Sequence, residues 1–165
     1  MTPLLVLVGP PGAGKTTVGR LIAERRGVPF RDTDVDVEGS AGRSVADIFL
    51  YDGEAAFRAL ERDAIQEALT GHDGVLALGG GALGDSSTRE RLAGHHVVFL
   101  DVGLSDAAAR IGLNRDRPLL LGNPRAQLKA MLDERRPAYE QVAAATVATD
   151  KLSPEDVADR VEAVL

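Results

Sequence analysis

Residues Gly9-Pro10-Pro11-Gly12-Ala13-Gly14-Lys15-Thr16 follow the spacing G-x-x-x-x-G-K-[ST], a phosphate-binding loop. Its glycines let backbone N–H groups turn inward around phosphate oxygens. A helix starting there adds the positive end of its dipole. An ammonium at Lys15 would reach β- and γ-phosphates, and the Thr16 hydroxyl suits a Mg²⁺ ion between them. Lys15, Lys129 and Lys151 are the only lysines, so Lys15 does not come from a lysine-rich background.

Other groups able to do chemistry are spread along the chain. Asp32-Thr33-Asp34 closes an apolar patch. On an extended backbone two residues flanking a third point to one side, so both acids can face one cleft. Alternatively, they cap a helix and stay solvated. Gly79-Gly80-Gly81 ends another apolar run and permits a ligand to approach backbone N–H groups closely; a flexible turn is the plainer alternative. Arg58 lies at the edge of a helical stripe, four residues after Glu54, and periodicity alone favours a simple pair between them. Arg115 and Arg117 fall in a Gly-, Asn- and Pro-rich stretch from 112 to 124 that has the character of a lid, with a solvated basic loop as the plainer alternative. His72, His95 and His96 have no metal-ligand spacing and are expected at the surface.

The elements that hold these residues read as a strand–helix alternation. Leu4 to Val8 is a continuous apolar run of strand length, suited to a parallel strand buried on both faces. Val18, Leu21 and Ile22 then repeat at helical spacing up to Gly27, a C-cap. Helical periodicity returns at 35–51, interrupted at Gly39 and Gly42, with Ser44 as an N-cap. After Asp52-Gly53 a longer helix carries Phe57, Leu60, Ala64, Ile65, Ala68 and Leu69. Val75–Leu78 and His96–Asp101 read as strands, and Ser105 as the cap of a helix through Ile111. A helix over 125–143 must kink or restart at Pro137. Thr146–Ala148 is a short last strand, and Ser153-Pro154-Glu155-Asp156 opens the final helix. The alternation predicts a single α/β domain over 1–165, a parallel sheet with helices on both faces.

Composition narrows the partners. Hydrophobic residues make up 44% of 165, which excludes a disordered chain. A formal net charge of −6 argues against non-specific nucleic-acid binding. Without cysteine there is no disulfide, thiolate nucleophile or cysteine-ligated zinc. No stretch approaches a membrane span, and the opening run is too short for a signal peptide. A cytoplasmic protein is expected, and a monomer, since no apolar stripe is left over.

Taken in order, the segments Gly9–Thr16, Asp32-Thr33-Asp34, Gly53-Glu54 with Phe57-Arg58, Gly79-Gly80-Gly81, Arg117-Pro118-Leu119-Leu120 and Arg135-Arg136 with Tyr139 resemble the shikimate kinases. These are small P-loop kinases akin to nucleoside monophosphate kinases. The resemblance implies a five-stranded parallel sheet of order 2-3-1-4-5, a substrate-binding segment at 33–71 and a lid at 112–124. It implies that ATP and Mg²⁺ serve phosphorylation of the shikimate 3-hydroxyl. Lys15, Asp34 and Arg117 would be catalytic. Gly12, Ala13, Gly14, Lys15, Thr16, Thr17, Arg110, Arg117 and Pro154 would meet ATP. Asp34, Arg58, Gly79, Gly80, Gly81 and Arg136 would meet shikimate, and Thr16 and Asp32 the metal. Gluconate kinase and nucleoside monophosphate kinase remain as alternatives, as does a nucleotide-binding module without catalysis.

Overall fold

A computed structural model describes residues 1–112 and 123–165. Five short parallel strands form one sheet: β1 (Leu5–Val8), β2 (Phe30–Asp32), β3 (Val75–Ala77), β4 (Val97–Asp101) and β5 (Ala145–Ala148). Their order is β2-β3-β1-β4-β5, as the resemblance implies. β1 pairs with β3 on one side, Leu5 opposite Val75, and with β4 on the other, Val6 opposite Val97. It is thus central, and all four of its residues are buried. Burial on both faces is why it reads as an unbroken apolar run.

Alternate residues of the strands feed two cores. Leu5, Leu7, Val98 and Leu100 pack against α1 (Lys15–Arg26), α6 (Leu104–Arg110) and α8 (Pro154–Glu162). Val6, Val8, Leu76 and Phe99 pack against α4 (Glu54–Gly71) and the second half of α7 (Pro124–Val142). A third, small cluster of Val37, Ile48 and Phe57 joins α2 (Thr33–Ala41) and α3 (Val45–Asp52) to α4. α5 (Ser86–Arg91) completes the set after a 3₁₀ turn at Ala82–Gly84.

Most helix ends follow the expected chemistry. Gly27 closes α1 with φ 66°. The Ser44 and Ser153 side chains accept from Asp47 N and Asp156 N, caps of the kind worth about 1 kcal/mol each. Three expectations are corrected. The cap of α6 is Gly103; Ser105 lies inside the helix, where its hydroxyl accepts from Arg125. α7 does not restart at Pro137 but runs through it as one helix. His72 is buried, with Nε2 3.0 Å from the Val75 carbonyl, and neither His95 nor His96 is fully exposed.

Parallel strands put all their carboxyl ends on one edge. The loop after β1, the end of β2, the glycines after β3, the β4–α6 turn and the β5–α8 turn therefore converge there. In open α/β sheets ligands bind at this edge.

Candidate active site

The phosphate loop wraps the start of α1. Gly12 and Gly14 have φ of 82° and 93°, the left-handed region that favours glycine. Gly14 is the N-cap, and the first turn of α1 carries no acid, so its dipole is uncompensated. Lys15 Nζ donates to the carbonyls of Gly9 (2.6 Å) and Pro10 (3.1 Å). Burial lowers its pKa to about 8, against the opposing pull of Asp34 and Asp32. A half-buried ammonium resting on two backbone carbonyls is placed where phosphate oxygens could replace them.

Asp32 and Asp34 are arranged differently from the extended reading. The strand stops at Asp32 and helix α2 begins at Thr33, with Asp32 as N-cap accepting from Asp34 N at 2.9 Å. The capping alternative thus describes the backbone, yet both acids still reach the cleft. Asp32 Oδ2 accepts from the Thr16 hydroxyl at 3.2 Å. Asp34 turns under Gly79: a Cβ at Gly79 would lie 2.7 Å from Asp34 Oδ1 and 2.8 Å from Glu61 Oε2. Neither of those buried oxygens has a hydrogen-bond partner among the described residues. Burial, then Asp32 and Glu61, push the Asp34 carboxyl up to about 6.

Arg58 stands on α4. Its Nη1 is 2.8 Å from Glu61 Oε1, whereas its Nε is 3.5 Å from Glu54, so the main partner is Glu61 rather than the Glu54 that spacing favoured. Glu61 is only 3% exposed, and burial raises its pKa. The guanidinium also lies 5.2 Å from the Phe57 ring centroid. A Cβ at Gly81 would collide with Arg58 Nη2. The glycine run thus lets Asp34, Glu61 and Arg58 approach the backbone closely, beyond what a turn alone would ask.

Arg136 does not enter the site. It leans back to Asp101 at 2.6 Å and Glu140 at 3.3 Å. Its neighbour Arg135 turns to the site instead: Nη1 lies 3.4 Å from where a Gly80 Cβ would stand. Successive helical residues diverge by about 100°, so only one of the pair can face the cavity beside Gly80, and Arg136 turns to the end of β4 instead. The missed signal is Tyr139, buried and four residues after Arg135, on the same helical face. Tyr139 donates to the Gly80 carbonyl at 2.5 Å and lies beside the Arg135 guanidinium. Arg135 is half-buried and has no ion pair among the described residues. Glu61, the other residue the sequence reading passed over, is hidden because a glutamate on an apolar stripe reads as an edge position.

Arg58, Arg135, Gly80, Gly81, Met131 and Tyr139 line a cavity of about 840 Å³. A second, of about 160 Å³, lies across the phosphate loop between Gly14, Thr17, Arg110, Thr149, Leu152 and Pro154. Arg110 is fixed there by bonds to Gly12 O (2.9 Å) and to Thr149 O (2.9 Å). Arg117 and most of the 112–124 lid lie outside the described residues. A metal site made by protein groups alone is not present among them. The Thr16 hydroxyl beside Asp32 instead fits Mg²⁺, which takes few protein oxygens and shares the rest with phosphates and water.

The sequence profile of the family described as shikimate kinase matches residues 11–165. The chain is similar to the shikimate kinase of Thermobifida fusca, 59% identical over 157 residues, covering 95% of this chain and 91% of that one. The shikimate kinase of Salinispora arenicola is 58% identical over 165 residues, 100% and 99% of the two chains. A solved structure of shikimate kinase from Acinetobacter baumannii in complex with shikimate aligns with TM-score 0.89 at 36% identity, over 98% and 91% of the chains. A gluconokinase from Sinorhizobium meliloti aligns at TM-score 0.57 and 24% identity, a likeness of fold alone.

Proposed function

The chain belongs to the shikimate kinase family, and from that membership we propose that it transfers the γ-phosphoryl group of ATP to the 3-hydroxyl of shikimate. The products are shikimate 3-phosphate and ADP, a step of aromatic amino-acid precursor biosynthesis. In this reading the amides of Gly12, Ala13 and Gly14, with Lys15, Thr16 and Thr17, receive the triphosphate. Arg110 and Pro154 flank the adenine in the smaller cavity. Thr16 and Asp32 would hold Mg²⁺, which when bound supplies positive charge to the β- and γ-phosphate oxygens. Arg58 and Arg135 fork onto the shikimate carboxylate beside Gly80 and Gly81. Asp34 orients the 3-hydroxyl and accepts its proton as the oxygen bonds to phosphorus and the bond to the ADP oxygen breaks. Phosphoryl transfer needs mainly positioning and charge stabilisation, so this set suffices for the chain's part. Arg117 of the 112–124 lid would add charge at the γ-phosphoryl.

The observation that carries the reading is Arg135. It is a half-buried guanidinium with no ion pair among the described residues, at a cavity shared with Arg58. A substrate carboxylate supplies the missing partner. Gluconate also carries a carboxylate and hydroxyls, so the test is an ADP-release assay with shikimate, gluconate and AMP. Turnover with shikimate alone is expected; comparable turnover with either of the others overturns the substrate assignment.

A further inference from the structure

Pro137 leaves α7 without a backbone rung just where the helix meets the cavity. It has no N–H for the carbonyl of Asp133, so the helix is least constrained there. Arg135 and Tyr139, which face the cavity, stand two residues to either side. With a rung missing, side-chain contacts take a share in setting their direction.

Arg136 crosses from this point to the sheet. Its Nη2 donates to Asp101 Oδ1 at 2.6 Å, and its guanidinium carbon lies 5.7 Å from the Phe99 ring centroid. Nη1 reaches Glu140, one turn further on, at 3.3 Å. Phe99 stacks on Tyr139, with centroids 4.9 Å apart, and Tyr139 donates to the Gly80 carbonyl. Asp101 is a firm anchor: it ends β4, and its carbonyl accepts from Thr149 N at 2.8 Å and from the Thr149 hydroxyl at 3.0 Å. Arg136 therefore ties the Pro137 turn of α7 to a strand end on one side, while Arg135 emerges on the other.

We infer that Arg136 is a positioning residue for substrate binding: its pair with Asp101 and its packing over Phe99 set the rotation of α7 about Pro137 and so aim Arg135 and Tyr139 at Gly80. This rests on the reading of Arg135 as the carboxylate ligand. Exposed ion pairs add little to global stability. Losing this one should leave the fold standing and disturb the aim of its neighbour. Small misplacements of a binding group can cost up to about a hundredfold.

The test is steady-state kinetics on the full chain, with shikimate and with an analogue lacking the carboxylate. Arg135→Ala should raise KM for shikimate and leave the analogue alone. Arg136→Ala should raise KM for shikimate about threefold to thirtyfold, shift KM for ATP less than about twofold, and add nothing in the Arg135→Ala background. Asp101→Asn should reproduce that pattern, and it keeps the test alive if Arg136→Ala folds poorly. Arg136→Lys should recover part of the loss. If Arg135→Ala leaves shikimate KM unchanged, the carboxylate reading fails and the inference with it. If Arg135→Ala raises KM while neither Arg136→Ala nor Asp101→Asn does, or if the 135 and 136 effects multiply independently, only the positioning role is overturned. A fall in Tm without a shikimate-selective change also overturns it, because that marks a merely structural contact.

Discussion

Asp34→Asn separates what this carboxylate does for catalysis from what it does to the fold. Burial first, then the charges of Asp32 and Glu61, raise its pKa from 3.8 to about 6, while Lys15 and Arg58 pull it down. A carboxyl whose folded pKa exceeds its unfolded value favours the folded state when protonated. That contribution is complete below about pH 3.8 and is lost as pH rises through about 6. At pH 8 the ionised group therefore weakens the unliganded protein relative to a neutral amide. The gap between 3.8 and about 6, at roughly 1.36 kcal/mol per pH unit, bounds the effect at about 3 kcal/mol. Asp34 is only half-buried, and screening by solvent leaves about 1–2 kcal/mol. A domain of this length gains about 2–4 °C in Tm per kcal/mol. Asp34→Asn should thus raise Tm by about 2–8 °C at pH 8 and hardly at all near pH 4. The same variant should lose turnover by about 10²–10⁴, the range for removing a general base. The assay is thermal unfolding without ligands at pH 4, 6 and 8, paired with ADP release. No gain in Tm at pH 8, or the same gain at pH 4, refutes the electrostatic reasoning. Retained turnover refutes the base.

Three further outcomes follow from the same geometry. The pH profile of kcat/KM should be a bell, rising as Asp34 ionises near about 6 and falling as Lys15 loses its proton near about 8; a plateau continuing past pH 9 would detach Lys15 from the phosphates. Gly81→Ala puts a methyl group into the Arg58 guanidinium and should raise KM for shikimate about tenfold with KM for ATP unchanged, the size of one charge-assisted bond; equal effects on both substrates in steady-state kinetics would contradict the packing argument. Arg110→Ala should do the reverse, raising KM for ATP about threefold to tenfold without touching shikimate, as initial rates at varied ATP would reveal.

Much of this was legible in the residues because local chemistry and tertiary role coincide. The phosphate loop, Gly27, Ser44 and Ser153 each do locally what their residue type favours. The unbroken apolar run at Leu5–Val8 marks the central strand because a strand covered on both faces has no polar side to show. Other features depend on packing that spacing does not carry. Asp32 and Asp34 reach one cleft from a helix start instead of a strand, since capping and cleft-facing are compatible once Asp34 occupies the first turn. Arg135 and Arg136 differ only in helical phase, which buried Tyr139 could have set. Glu61 pairs with Arg58 one turn back on its own helix, but it is buried under Gly79, which comes from a distant segment. Spacing places His72 at the surface because its partner, the Val75 carbonyl, is backbone and leaves no mark in side-chain pattern.

The most direct test of the central claim is the position of the phosphate on the product. Arg58 and Arg135 hold one end of shikimate in this account, and Asp34, near Lys15, activates a single hydroxyl at the other. Proton–phosphorus correlation NMR of the reaction mixture should therefore show phosphorus coupled to the proton on carbon 3 alone. Coupling to carbon 4 or 5, or free phosphate with unmodified shikimate, would contradict it.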